Sequence, residues 1–358
     1  MRSCIRAFVL LLAALSAAYS ASPTIAVIGL QHSHVWGHLP RMISGNPARL
    51  AGISEANPSL IAEAQKLGAP ASVFYTDDAR MLDTVKPDIV WAFTPNNDHL
   101  RIVKLCAPRG IHVMFEKPLA STLADARAIR VLAQRHGIVV LTNYQMAWWP
   151  SNYAAKAKAG SGALGQVWRL RGIVGHGGPG SEGPRNSVFF QWLTDPVQNG
   201  AGALMDFGCY NALWSLWYLG KPESVYAHVN HLRPVVFPKV EDNSTMILGY
   251  KNGVGLFEGS WDLPRSFQEL EVFGLEGSAT LTRDRLEIRK GRGAAIEEPL
   301  QPLAPGNAEP IAHMIAATHG KKPLNPMVAL DINVDVVEII EALKKSIATK
   351  AAVKLPLR

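Results

Sequence analysis

The sequence offers chemistry first in the turn that follows its opening apolar run. Ala26-Val27-Ile28-Gly29-Leu30-Gln31-His32-Ser33-His34 has the form of a strand passing into a phosphate-cradling turn, in which glycines would stand at positions 29, 31 and 34. Gly29 fits. Gln31 must either turn its side chain away or take over a diphosphate contact, and His34 occupies a phosphate-turn position. Glu55 closes the second β run, where a carboxylate can accept hydrogen bonds from both hydroxyls of an adenosine ribose. Such an acid favours NAD, with NADP the weaker candidate. His32, His34 and His38 suggest a metal cluster, but no carboxylate or cysteine joins them at a ligating spacing, so no metal is expected.

These groups need a frame, and the pattern of apolar runs supplies one. Thr24 to Gly29, Leu50 to Ser54, Asp88 to Phe93, His112 to Phe115 and Val139 to Asn143 read as short strands bounded by turns. Helical stretches at Leu60 to Leu67, Asp98 to Ala107 and Leu123 to His136 lie between them, so the strands form a parallel sheet buried on both faces. Ligands to such a sheet gather at the carboxyl ends of its strands. After about Trp149 the texture changes. A Gly-rich segment from Gly172 to Gly183 leads into alternating strands at Ser224 to His231, Ser244 to Tyr250, Gly253 to Trp261 and Leu270 to Gly274, the mark of an antiparallel second domain. Val336, Ile340, Leu343 and Ile347 recur at helical spacing within Asp331 to Ile347, which predicts a closing amphipathic helix.

Composition bounds the class. With 358 residues, 48% hydrophobic and 18% charged, the chain is too long for one core and too apolar for disorder, and about two domains are expected. Arg2 and Arg6 precede an apolar run from Ala7 to Ala18 and the small-residue site Ala18-Tyr19-Ser20, which reads as a secretory signal peptide over residues 1–20. The run is shorter than the roughly 20 residues that span a bilayer, so cleavage rather than stable membrane insertion is expected, and a periplasmic or secreted location with it. Losing Arg2 and Arg6 and no acids takes the formal charge from +7 to +5. Basic residues are scattered among acids with no aromatic-interleaved basic run, so no nucleic-acid partner is expected. Cys4 leaves with the leader; Cys106 and Cys209 remain, either as one disulfide or as two free buried thiols.

The stretch that decides the reading runs from the fourth strand to the sixth. Thr94-Pro95-Asn96-Asn97-Asp98-His99, Glu116-Lys117-Pro118 and Asn143-Tyr144-Gln145 each follow the carboxyl end of a strand. Together with Gly202-Ala203-Leu204-Met205-Asp206-Phe207-Gly208-Cys209-Tyr210, this arrangement resembles the Gfo/Idh/MocA oxidoreductases over nearly the whole mature chain. The resemblance implies an α/β fold: an N-terminal Rossmann parallel-sheet domain over residues 21–147, and a C-terminal α+β substrate and oligomerisation domain over 148–358 with an open-faced, mostly antiparallel sheet. It implies NAD held between the domains by Gly29, Gln31, His34, Glu55, Thr94, Pro95, Asn96, His99, Glu116, Lys117, Asn143 and Gln145. It also implies a homo-oligomer, associated through the outer face of the open sheet.

The same resemblance assigns catalysis to Lys117, Tyr210 and Asp206. A hydride leaves a carbinol carbon only as the hydroxyl proton is removed, and a nearby ammonium stabilises the developing alkoxide, the part implied for Lys117. Many relatives carry a histidine four residues after the aspartate; Tyr210 stands there instead, as in the glucose-fructose oxidoreductase and dihydrodiol dehydrogenase branch. A phenol of reference pKa near 10 serves as a base at neutral pH only if a neighbour such as Lys117 favours its phenolate. Asp206 and Tyr210 share a helix face one turn apart, which lets the carboxylate bind a second hydroxyl or orient Lys117.

The expected activity is therefore an exported NAD(H)-dependent oxidoreductase acting on a carbinol of a sugar, polyol or cyclic diol. Two alternatives stand beside it: an NAD-dependent glycoside hydrolase with transient oxidation, and a cofactor-free sugar-binding relative. Two features depart from the family pattern, the glycine-poor turn and the absence of an arginine in Gln145-Met146-Ala147-Trp148-Trp149-Pro150. The Trp148-Trp149 pair is either an apolar substrate face or inter-domain packing. Gly175-His176-Gly177-Gly178-Pro179-Gly180, with Arg185 nearby, is either a connector or a lid placing His176 over the substrate, and Trp192 either lines the pocket or plugs the domain interface.

Overall fold

A computed structural model describes residues 22–357; the expected leader, with Cys4, lies outside the described residues. The first sheet is parallel, in the order β3-β2-β1-β4-β5-β6. Its strands are β1 (Thr24–Ile28), β2 (Arg49–Ser54), β3 (Phe74–Tyr75), β4 (Ile89–Ala92), β5 (His112–Glu116) and β6 (Val140–Asn143). The crossovers carry α1 (Val35–Ile43), α2 (Pro58–Lys66), α3 (Asp78–Val85), α4 (His99–Cys106) and α5 (Leu123–His136). Every residue of β4 and β6 is buried, as expected of strands covered on both faces. The strand order reverses between β1 and β4, the switch point at which a crevice opens above the carboxyl ends.

The chain then passes through α6 (Pro150–Gly160), β7 (Val167–Gly175), α7 (Gly183–Leu193) and α8 (Ala203–Leu219). The remaining strands are β8 (Ser224–Asn230), β9 (Asn243–Tyr250), β10 (Gly253–Ser260), β11 (Phe267–Gly274), β12 (Gly277–Leu281), β13 (Leu286–Lys290), β14 (Ala295–Glu297) and β15 (Val353–Lys354), with α9 (Pro310–Thr318) and α10 (Leu330–Thr349). The second sheet has nine strands in the order β14-β13-β12-β11-β7-β10-β9-β8-β15. It is mixed, not purely antiparallel, because β7 lies parallel to β10 at its centre. The sequence hid β7 behind glycines: Gly172 sits where a Cβ would come 2.8 Å from the Phe257 ring, so its absence of side chain is a packing requirement within a strand.

Helix α8 is buried over its first fourteen residues, Ala203 to Leu216, and packs between the second sheet and α10. It is apolar nearly all round, which is how a helix at the centre of a fold reads. Helix α10 reaches both domains, packing on α8 and β8 on one side and on α5 on the other. Cys106 and Cys209 are buried free thiols, which decides the question the sequence left open. No helix among the described residues is long and apolar enough to cross a membrane.

Candidate active site

Two neighbouring cavities lie over the carboxyl ends of the parallel strands. The first, of about 480 Å³, is bounded by Gly29, Gln31, Glu55, Thr76 to Asp78, Thr94, Asp98 and Arg101. The turn that forms its floor depends on Gly29, whose φ is +76° and whose added Cβ would come 2.6 Å from Thr94 Cγ2. The Glu55 carboxylate accepts the Leu30 N–H at 2.7 Å and the Asn57 N–H at 2.8 Å, one on each oxygen. Each oxygen keeps a lone pair for a ligand hydroxyl. Thr94 adds a buried hydroxyl without a partner, and α1 begins without a side-chain cap. An unpartnered hydroxyl and a carboxylate in this cleft, with the uncapped start of α1 at the neighbouring cavity, fit a dinucleotide. Arg101 bonds Asp98 through Nε and Nη2 and Asp78 through Nη1, so the cleft's arginine is already committed to carboxylates.

The second cavity, of about 310 Å³, is lined by residues of both lobes, among them His32, His34, Lys117, His176, Asp206 and Tyr210. Lys117, one residue beyond β5, donates to the Asp206 carboxylate and, at 3.0 Å, to the Asp206 carbonyl at the start of α8. Trp261 Nε1, just past β10, donates to the other carboxylate oxygen at 2.9 Å. The helix start is set by Glu241, which accepts the N–H groups of Gly202 and Leu204 at 2.8 and 3.0 Å. Burial works against the Lys117 ammonium, yet the Asp206 charge, with Tyr210 and Cys209 beyond it, outweighs burial and holds its pKa far above the usual lysine value. Burial likewise opposes the Asp206 carboxylate, and the Lys117 charge and hydrogen bonds hold its pKa down.

Tyr210 corrects an expectation. Its ring lies under the Lys117 ammonium, 5.2 Å from Nζ to the centroid, and edge-on to Tyr144 at 5.3 Å. Burial pushes its phenol above the ordinary value, against the downward pull of the Lys117 charge. Tyr210 therefore keeps its proton at neutral pH and faces the cavity as a donor, not as the phenolate the sequence called for.

Three histidines line the same cavity, and their hydrogen bonds sort them. His32 Nδ1 accepts the His34 N–H at 3.2 Å, and His176 Nδ1 accepts the Gly178 N–H at 3.0 Å. Burial first, then neighbouring charges, lowers the His32 pKa well below its usual value; burial also lowers that of His176 against the pull of Asp206. Both rings are neutral at pH 7, with the proton on Nε2. His34 differs, since its Nδ1 lies 2.7 Å from Glu116 Oε2. Glu116 Oε1 accepts Asn143 Nδ2 at 2.9 Å, and Asn143 Oδ1 accepts Trp148 Nε1 at 2.8 Å. The register explains this, because Glu116 and Asn143 are partners across β5 and β6. Sequence spacing showed no carboxylate beside these histidines, yet the fold brings one in. Ligating atoms of His32, His34 and Glu116 lie within 4.8 Å of one another. The bonds just described make the trio a hydrogen-bonded chain.

Other expected site residues sit elsewhere. Arg185 stacks on Trp36, 4.4 Å from its ring centroid, and pairs with Glu63 at 2.7 Å, clamping α7 onto the first lobe away from the cavity. Trp192 is buried, donates from Nε1 to the Gln31 carbonyl at 3.2 Å and packs on His32, so it plugs the interface. His99 is fully buried, stacks on Phe115, and its Nδ1 lies 3.0 Å from the Leu119 carbonyl; burial pushes its imidazole down to about 4. Asn96 donates to Asn199 Oδ1 at 2.7 Å and ties the two lobes together. Pro95 faces neither cavity. Gln145 lines the second cavity and, with Gln268, a third of about 340 Å³ where Trp148 and Trp149 also lie. Sequence reasoning missed Trp261, Glu241, Gln268 and Arg101. Trp261 left one trace, a large aromatic at the carboxyl end of a central strand.

The sequence matches two family models, one described as an oxidoreductase family with an NAD-binding Rossmann fold over residues 24–144, the other as a GFO/IDH/MocA C-terminal domain over 153–280. It is 27% identical over 345 residues to levoglucosan dehydrogenase of Pseudarthrobacter phenanthrenivorans, covering 88% of this chain and 85% of that one. It is 28% identical over 266 residues to D-glucoside 3-dehydrogenase of Escherichia coli, covering 73% and 68%. Among solved structures, aldose-aldose oxidoreductase from Caulobacter crescentus complexed with glycerol superposes with a TM-score of 0.80 at 23% identity, over 94% of this chain and all (100%) of that one. Levoglucosan dehydrogenase in complex with NADH and levoglucosan gives 0.76 at 23% identity over the same shares, 94% and 100%.

Proposed function

The chain belongs to the Gfo/Idh/MocA oxidoreductases, and from that premise we propose that it is an NAD(H)-dependent dehydrogenase of sugar carbinols. The observation that carries the reading is the meeting of Lys117 from one lobe with Asp206 and Tyr210 from the other, in a cavity beside the Gly29–Glu55 cleft. Gly29, Gln31, Glu55 and Thr94 would hold the adenosine and diphosphate half, and His34 and Gln145 line the way to the reacting half, with Glu116 and Asn143 behind His34. When bound, the nicotinamide supplies the hydride acceptor.

The chain's own groups then act on the substrate oxygen. Lys117 spends two of its three N–H bonds on Asp206, which leaves one for that oxygen. Tyr210 donates from a second direction. Two donors fixed in a cavity between the lobes stabilise negative charge as it grows on the oxygen, worth about 10²–10³ in rate per donor. His176, carrying its proton on Nε2, can bind a further hydroxyl. NAD is favoured over NADP because Glu55, Asp77, Asp78 and Asp98 surround the first cleft and its Arg101 is already paired, which leaves a 2′-phosphate facing acids. The leader of residues 1–20 supports export.

The test is twofold. Quenching of tryptophan fluorescence should show NADH bound at least tenfold more tightly than NADPH. NADH should form when NAD⁺ is supplied with levoglucosan, D-xylose or methyl β-D-glucoside. Binding of neither nucleotide, with a sugar still raising the melting temperature, would replace the enzyme by a sugar-binding relative.

A further inference from the structure

Oxidation of a carbinol needs a lone pair to receive the hydroxyl proton, and most of the cavity has none to give. Lys117 is an ammonium paired with Asp206, Tyr210 holds its proton, and Asp206, bonded by Lys117 and Trp261 and held below the usual carboxylate pKa by the Lys117 charge against the pull of burial, is a weak proton acceptor. His32 and His176 each use Nδ1 to accept a backbone N–H, so the ring nitrogen left over carries hydrogen. His34 has the opposite arrangement. Burial would raise the Glu116 pKa, but its contacts with His34, His38 and Asn143 hold it below the usual value, so the side chain is a carboxylate that only accepts. His34 Nδ1 must then donate to it, and Nε2 is left with a lone pair and no partner among the described residues. The ring lines the cavity and is 23% exposed, whereas Glu116 is fully buried.

We propose that His34, oriented by Glu116 and by Asn143 behind it, is the general base of this pocket, built into the turn where a phosphate-binding glycine would otherwise stand. The proposal rests on the dehydrogenase reading. The carbinol O–H breaks and its proton passes to His34 Nε2. The oxygen's electrons form the carbonyl as the C–H pair leaves as hydride to the nicotinamide. The imidazolium so formed faces a carboxylate 2.7 Å away, the same logic by which a buried acid supports a histidine in acyl-transfer triads. The groups facing His34 are His32 and His38 from its own turn and helix, Glu116 and Lys117 from the end of β5, His176 from the end of β7, and Asp206 and Tyr210 from α8.

Two measurements test it. Nitrogen-15 histidine NMR of the mature chain at pH 7, without nucleotide, should show His34 protonated on Nδ1 and His32 and His176 on Nε2. The His34 signal should vanish in His34→Gln and change tautomer in Glu116→Gln. A His34 carrying its proton on Nε2 in the wild type overturns the proposal. With levoglucosan or methyl β-D-glucoside and NAD⁺, His34→Gln should lower kcat by about 10²–10⁴, the usual span for a general base, while the NADH dissociation constant stays within about threefold. A loss of kcat together with weakened NADH binding makes His34 a cofactor-positioning residue and also overturns the proposal. A wild type that neither binds NADH nor forms it sinks the dehydrogenase reading instead, and the tautomer measurement still decides the dyad.

Discussion

Replacing Asp206 by asparagine keeps the shape of the site and removes one charge, which makes it a sharp probe of how the two lobes are joined. Lys117 and Asp206 expose only 6% and 7% of their side chains, so neither charge can turn to water. Taking one partner from a buried pair typically costs about 3–5 kcal/mol. The cost has a ceiling here, because Lys117 can give up its proton. Neutrality lies about 3.4 units below the ordinary lysine pKa of about 10.4, and at about 1.36 kcal/mol per unit the ceiling is roughly 4.6 kcal/mol. The sign follows from linkage. In the wild type the Lys117 pKa is raised on folding, so its contribution is present below the unfolded value and is lost only as strongly alkaline pH approaches the folded one. In Asp206→Asn the burial that opposes the ammonium stands unopposed and the folded pKa drops below the unfolded one. Stability of the variant should then climb by up to about 1.4 kcal/mol per pH unit between neutrality and about pH 10. Urea unfolding at pH 7, 8 and 9 measures this directly. Adding Lys117→Met should recover most of the loss, since exchanging a whole buried pair for neutral groups is often nearly harmless. An Asp206→Asn protein as stable as wild type, with no slope against pH, would refute the claim that the pair is buried and mutually dependent.

Three further substitutions address separate parts of the site. Gly29→Ala places a Cβ 2.6 Å from Thr94 Cγ2 at a positive φ, and should cost about 1–3 kcal/mol of stability and abolish NADH binding by fluorescence titration. Tyr210→Phe removes one donor to the reacting oxygen and should lower kcat about 10²–10³-fold, with the loss constant between pH 6 and 9 because the phenol does not titrate there. A loss confined to high pH would restore Tyr210 as a base. Arg185→Ala should leave KM for the sugar within about twofold, since the side chain lies on Trp36 and Glu63, and lower thermal stability only slightly. A tenfold rise in KM would return it to the substrate pocket.

The layout of this protein was legible in its sequence because the signals that specify it are local. Buried runs bounded by turns marked five of the six strands of the first sheet, and the groups ending at Glu116-Lys117 and Asn143 fell on strand ends as expected. Strand β3 escaped because two residues carry no periodicity, and β7 because glycines that make room for Phe257 look like a loop. The amphipathic spacing of α10 showed in the sequence, whereas its packing on both lobes did not. What tertiary structure alone decided is which polar groups meet and which atom of each is left free. Lys117 and Asp206 are 89 residues apart, and His34 and Glu116 are 82 apart. Arg185 and His99 were drawn away by partners no spacing could announce, one by Trp36 and Glu63, the other by Phe115 and the Leu119 carbonyl. A residue's type names the protons it can carry. Whether it holds, gives or takes one depends on burial and on the single partner each nitrogen or oxygen finds, and those come from chain segments brought together only by folding.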